Sequence, residues 1–494
     1  MLRPEKLRSC WNRKKILETV PQLKPPQATG YASAKNCCLI TAIIGVALLS
    51  GCGGGSSNSS VTPPTSNGGG GAKGAATFFG MHINSPTTPW PNVPVAGLRM
   101  WDDRAAWALV NTAPGVYDWS TFDIWLAAAK NKADVLYDFG RTPSWAQCSV
   151  TNPSCGLVDP LVTCAYSQTG GEGGPGQCLP PNDLDNLGNG TNQHWIDWVT
   201  AVATHSVNSS TSHIKYYEIW NEANLTRFWD GNYAQLARMA QDARCIIIGT
   251  SCGNSQSTYT KTGIDPSAML LTPAFVGSDT VNLIDAFAAY LPLAGQYADI
   301  IAFHGYVGHN PPEQIVTVHS NLLGVLAAQS QQTKQLFNTE ASWGTANPLT
   351  DADQQAAWLS RYILLQVSLG INRFYWYSWD VPGVELWSSS TGTTLAGTAY
   401  SEMNTWVSGA TANGPCTAQG SVWSCGFTRA SGYQAMAVWD TSQSCSNGVC
   451  SSSSFSAPSQ FTQYLDVTGK SFPITGGVVP IGLKPILLET GNIP

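Results

Sequence analysis

Two glutamates stand where this sequence could do chemistry. Glu222 follows the β-rich run Ile214-Lys215-Tyr216-Tyr217-Glu218-Ile219-Trp220-Asn221, and Glu340 ends Gln335-Leu336-Phe337-Asn338-Thr339. They lie 118 positions apart. A pair of opposed carboxylates can cleave a glycosidic bond. One keeps a proton for the leaving oxygen and the other stays ionised to attack the anomeric carbon. At about 5–5.5 Å apart such a pair retains configuration; at about 6.5–9.5 Å it admits a water and inverts. Taken singly, a strand-end Glu reads rather as a structural ion-pair partner. Two of them, each ending a strand in aromatic surroundings, favour catalysis. Asp102, Asp103, Asp138 and Glu218 are rival acids, and Glu218, deeper in its strand, reads as a buried hydrogen-bonding partner.

Other chemistries are weakly represented. Gly249-Thr250-Ser251-Cys252-Gly253 fits the nucleophile-elbow pattern of serine esterases, but no convincing helix starts after it. No His-Glu-x-x-His motif and no CxxC pair occur, so no metal is expected. No Gly-rich phosphate loop follows the first strand, so no cofactor is expected either. Trp379, Trp145 and Trp343 close strand-like runs and could stack on a sugar ring.

The elements that must position these groups alternate. Strands are expected at 77–83, 96–101, 133–139, 214–220, 244–249, 298–304, 335–340 and 371–378. Helical patterns fall at 121–131, 194–205, 233–242, 312–328, 351–368 and 396–407. Eight such units over residues 76–410 predict a closed (β/α)8 TIM barrel. Strands four and seven oppose each other across an eight-stranded barrel, which sets Glu222 against Glu340 over its mouth. The Cys-rich stretch 146–183 breaks the rhythm and reads as an insertion at the rim. Residues 411–494 change to short alternating runs (421–428, 433–439, 463–467, 478–488), predicting a small all-β, sandwich-like domain packed on the barrel.

Composition narrows the partners. The chain of 494 residues is 43% hydrophobic and 11% charged, with 19 Trp and a net charge of −6. After Cys52 there are 17 basic against 29 acidic residues, which excludes a nucleic-acid partner. Residues 1–51 combine a basic region, a short apolar core and Leu49-Ser50-Gly51-Cys52. This reads as a signal peptide with a bacterial lipobox that leaves Cys52 lipidated. Residues 52–75 read as a Gly/Ser/Pro-rich tether. Of the 14 Cys, ten remain beyond Cys52, in neighbouring pairs 148/155, 164/178, 245/252, 416/425 and 445/450. Five local disulfides in an exported, envelope-anchored protein are the expectation.

The segment Tyr217-Glu218-Ile219-Trp220-Asn221-Glu222-Ala223-Asn224-Leu225, with Phe228-Trp229 and Tyr233, resembles the acid/base strand of clan A glycoside hydrolases, most nearly the family 39 type. Phe337-Asn338-Thr339-Glu340 with Trp343-Gly344 is similar to the nucleophile strand of that clan. Gly115-Val116-Tyr117-Asp118-Trp119, Thr142-Pro143-Ser144-Trp145 and Phe303-His304-Gly305-Tyr306 extend the likeness, which covers about residues 76–410. The resemblance implies a retaining O-glycoside hydrolase acting on β-linked glycans by double displacement. It makes Glu222 the acid/base, Glu340 the nucleophile and Asn221 the partner of the sugar 2-hydroxyl. Tyr306 would donate to Glu340, and the charge of Arg99 would lower the pKa of Glu340. His304 and His82 are either sugar contacts or satisfied core histidines. Ala223, where Pro is common, and the Cys-rich insertion depart from the pattern and bear on substrate rather than mechanism. A non-catalytic glycan-binding or export-associated lipoprotein, or a transglycosylase, would share the same features.

Overall fold

The computed structural model describes residues 73–158, 164, 176–250, 263–277, 280–308, 310–344, 349–430, 432–491 and 493. The signal sequence, Cys52, most of the tether, much of the Cys-rich insertion, residues 251–253 of the Gly-Thr-Ser-Cys-Gly motif and Cys252 lie outside them.

Eight parallel strands form the barrel: β1 (Phe79–Met81), β2 (Gly97–Met100), β3 (Asp134–Asp138), β4 (Ile214–Glu218), β5 (Met269–Leu271), β6 (Ile300–His304), β7 (Gln335–Ala341) and β8 (Arg373–Trp376). Each pairs with its neighbour in order, and β8 returns to β1, so the sheet closes. Around it stand α1 (Ser120–Ala129), α2 (Gln193–Asn208), α3 (Tyr233–Ile247), α4 (Thr280–Ala294), α5 (Ile315–Ala328), α6 (Ala352–Ser368) and α7 (Leu395–Val407).

The fifth strand is not at 244–249. That run completes α3, which begins on a capping box between Asn232 and Gln235 and keeps its apolar face buried through Ile246 and Ile247. A short β-branched run cannot be told from a buried helical turn by periodicity. The true fifth strand has three residues, and the helix over 280–294 has no counterpart among the expected elements.

The barrel interior is layered by strand alternation. Leu136, Tyr216, Leu271, Ile300, Ala302, Phe337 and Tyr375 form an apolar cluster. Gly80 and Gly97 make room for the Tyr375 ring, since a Cβ on either would collide with it. Two residues further along their strands, toward the C-terminal mouth, come Arg99 after Gly97, Asp138 after Leu136, Glu218 after Tyr216 and His304 after Ala302. The period of two thus places a charged layer directly above an apolar one.

Beyond α7 the chain forms antiparallel sheets. The larger runs Thr411–Ala412, Val422–Thr428, Gln434–Asp440, Ile486–Glu489, Gln463–Leu465, Ser471–Pro473; a second pairs Ser452–Ser456 with Val478–Gly482. The run expected over 478–488 is therefore two strands. Val438, Val479, Ile481 and Leu488 fill the core of this all-β domain. It is fastened to the barrel by Trp439, whose Nε1 donates to Glu313 at 2.8 Å, and by Arg429, which donates to the Thr405 and Ser408 carbonyls at the end of α7. Disulfides join Cys148–Cys155, Cys164–Cys178, Cys416–Cys425 and Cys445–Cys450, as expected; the partner expected for Cys245 lies outside the described residues. Such bridges suit an exported protein. Among the described residues no helix is long and apolar enough to cross a membrane.

Candidate active site

Arg99, wholly buried on β2, organises the charged layer. Its Nε donates to Glu218 at 2.7 Å and its Nη2 to Asp138 at 2.7 Å and to the Asn221 carbonyl oxygen at 2.9 Å. Its Nη1 donates to Glu340 at 2.9 Å. Burial opposes its charge, but Glu218, Asp138 and Glu340 overcome that cost and hold the guanidinium firmly protonated. Three carboxylates share this one cation. Burial pushes Asp138 well above the usual carboxylate range against the pull of Arg99. Glu218 takes a further bond from Thr339 Oγ1 at 2.7 Å, as suits a structural partner.

Glu340 reaches this layer through a bulge. β7 pairs with β6 in register as far as Asn338 and Phe303, then shifts so that Glu340 opposes His304. The extra residue, Thr339, lets both Thr339 and Glu340 turn inward, where strict alternation would send one of them to the helices. Tyr306 Oη donates to Glu340 Oε1 at 2.9 Å. Burial raises the Glu340 pKa, and the Arg99 charge pulls it back without cancelling the effect. The lowering expected from Arg99 is therefore real but outweighed.

Glu222 stands just past β4 with φ of 40°, a left-handed conformation costly for a residue with a Cβ. Its two oxygens face different surroundings. Oε1 lies 2.9 Å from His304 Nδ1, which is itself 4.0 Å from Glu340 Oε1. Oε2 accepts from Arg227 Nη2 at 3.3 Å, and the Arg227 side chain is 54% exposed. Burial lifts the Glu222 pKa to about 7 against the opposing charge of Arg227. Burial lowers His304 to about 4, so its imidazole is neutral near pH 7.

Glu222, His304 and Glu340 each offer an atom within 4.8 Å of the others, the one such trio among the described residues. That spacing would suit a cation. The hydrogen bonding does not call for one, because Glu340 already has the Arg99 charge and the Tyr306 hydroxyl on its two oxygens. The layer thus joins one carboxyl that titrates near neutrality to another held between a guanidinium and a phenol. Such a pair can donate a proton and attack an electrophile across one small gap.

The remaining expected residues fall as follows. Asn221 is buried beside Glu222 and bound to Arg99. His82 is wholly buried and bonded to the Thr339 carbonyl at 2.9 Å, a core position supporting the bulge. Trp145 is partly buried and donates to the Asn111 carbonyl at 3.0 Å. Trp379 is 1% exposed and stacked against Trp387, so its face is not open to a sugar. Trp387 is the partly exposed ring instead. With Ser85, Thr88, Asp380 and Glu385 it lines a cavity of about 370 Å³ at the ends of β1 and β8.

Sequence reasoning missed Arg227 and a rim network in which Asp102 pairs with Arg141 and accepts from Tyr377 Oη at 3.0 Å. Only proximity to Glu222 in the chain could have drawn attention to Arg227. Described residues of the Cys-rich insertion pack against the loop after β4. Val158 N donates to the Asp230 carbonyl and Gln235 Nε2 to the Cys155 carbonyl, walling the loop that carries Arg227.

The sequence matches no protein-family model and no curated protein. Solved structures are similar to it. A family 39 glycoside hydrolase from Bacteroides cellulosilyticus WH2 superposes with a TM-score of 0.56 at 16% identity, covering 83% of this chain and 80% of its own. A GH30 endoxylanase from Clostridium papyrosolvens C71 gives 0.51 at 12%, covering 85% and 97%. A family 30 subfamily 8 xylanase from Clostridium acetobutylicum gives the same figures. What this chain shares with these glycoside hydrolases, at such identities, is the architecture: a (β/α)8 barrel carrying an all-β domain.

Proposed function

We propose that this protein is a retaining glycosidase of the clan A type, with Glu222 as acid/base and Glu340 as nucleophile. One observation carries the reading: two carboxylates from opposed strand ends offer oxygens within 4.8 Å of each other. That spacing fits the about 5–5.5 Å of a retaining pair better than the about 6.5–9.5 Å of an inverting one. The electrostatics support the same division. Glu222, at about 7, keeps a proton to give; Glu340 has a buried guanidinium in direct contact to stabilise its anion.

In the first step Glu340 attacks the anomeric carbon, the bond to the leaving oxygen breaks, and Glu222 transfers its proton to that oxygen. In the second, Glu222 takes a proton from water as the water displaces Glu340 from the sugar. Asn221, its carbonyl oxygen fixed by Arg99, keeps its amide hydrogens for the sugar 2-hydroxyl. Tyr306 fixes the attacking oxygen. The partly exposed Trp387 takes the stacking role expected of Trp379. The acidic balance, the disulfides and the sequence around Cys52 support an exported, lipid-tethered enzyme of the bacterial cell envelope that acts on a β-linked oligo- or polysaccharide.

Glu340→Gln should lower turnover of aryl glycosides by at least about 10⁴-fold, and Glu222→Gln by about 10²–10⁴-fold, the usual worth of a general acid. NMR of the first-formed product should show retained configuration. Unchanged turnover in either variant, or an inverted product, refutes the proposal.

A further inference from the structure

Arg227 has no role in the mechanism above and in one respect opposes it. A guanidinium at Glu222 Oε2 stabilises the ionised form of the group that must hold a proton. Its position identifies what else it could do. Glu222 Oε1 contacts His304, which lies 4.0 Å from Glu340 Oε1, while Oε2 contacts Arg227. A sugar ring attacked by Glu340 would lie toward the Oε1 contact with His304, which would set Oε2 and Arg227 beside the leaving group. The guanidinium lies 4.9 Å from the Phe228 ring, which limits its swing, and the side chain is 54% exposed.

Resting on the glycosidase reading, we propose that Arg227 binds a carboxylate on the leaving-group sugar, making this enzyme selective for linkages to a uronic acid residue. A planar carboxylate fits the guanidinium fork with two parallel hydrogen bonds. Forming them draws Arg227 off Glu222 and returns proton affinity to the acid once substrate is bound. A neutral leaving sugar leaves the cation where it hinders.

The test compares aryl glycosides, on whichever glycone is cleaved, bearing a 3-carboxyphenyl leaving group, its methyl ester, or a 3-sulfophenyl group. Wild type should favour the carboxylate over the ester by about tenfold in kcat/KM, the worth of one charge-assisted pair at a partly exposed site. Arg227→Gln should abolish that preference, its own ratio correcting for the acidity of the phenols, and Arg227→Lys should keep part of it. Arg227→Gln should also move the alkaline limb for the ester upward. The other groups facing Glu222, namely His304, Arg99, Asp102 and Glu340, remain in place. A carboxylate preference that survives Arg227→Gln, or an equal preference for the sulfonate, overturns the assignment. If no glycoside is cleaved, or cleavage is indifferent to Glu340→Gln, it is the glycosidase reading that fails. Thermal unfolding of the half-exposed variants verifies that they fold.

Discussion

The two halves of the barrel mouth treat a glutamate differently. On the β2–β7 side, Glu340 sits against Arg99, a cation with no exposure and four acceptors on its fork. On the β4 side, the guanidinium in contact with Glu222 is that of Arg227, whose side chain is 54% exposed and 3.3 Å away, while the other Glu222 oxygen meets His304 at 2.9 Å. Burial raises both carboxyls, yet a buried charge acts at low effective dielectric while an exposed one is screened. The lesson is that the worth of a cation depends on its surroundings more than its distance. Burial raises both acids, and only Glu340 has a wholly buried guanidinium in direct contact to offset it.

The severest way to break this contrast is Arg99→Met. It strands Glu218, Asp138 and Glu340 without their shared cation. Unfolding in urea should show a loss of about 3–5 kcal/mol, the usual cost of breaking a buried ion pair. Turnover should collapse with it. Arg99→Lys should rescue little, because one ammonium cannot serve four acceptors in a fork.

Tyr306→Phe is milder. It removes one hydrogen bond from Glu340 Oε1 and leaves Arg99 in place, so kcat should fall about 10- to 100-fold, the worth of one bond to a charged group. A larger loss than in Arg99→Met would reverse the ranking of the two supports.

The pH dependence sharpens the comparison. As the proton donor, Glu222 should impose an alkaline limb near its value of about 7. Stability follows the same group. Its folded pKa lies above the unfolded value of 4.5, so between 4.5 and about 7 the folded state holds more protons. Its contribution is fully present below that window and is lost as pH rises through it. Thermal unfolding across pH 4–8 should show this slope, and Glu222→Gln should flatten it.

Much of the molecule was legible in the residues themselves. Alternation of strand and helix patterns gave the barrel. The run ending at Asn221-Glu222 and the one ending at Glu340 marked strands four and seven, and Glu218 was readable as structural from its depth in the strand. The fifth strand was not legible: Met269–Leu271 has too few residues to show a period, whereas the apolar end of α3 mimics one.

Local order therefore dictated the types of group available, their place at strand ends and the layers beneath them, because side-chain alternation and helical periodicity are properties of short segments. Tertiary structure alone decided the rest. The bulge at Thr339 aims Glu340 inward, the packing of Trp379 against Trp387 hides the expected platform, and the loop after β4 carries Arg227 to one oxygen of Glu222. Register, burial and the pairing of charges arise from contacts between residues tens to hundreds of positions apart, and no window on the chain contains both partners.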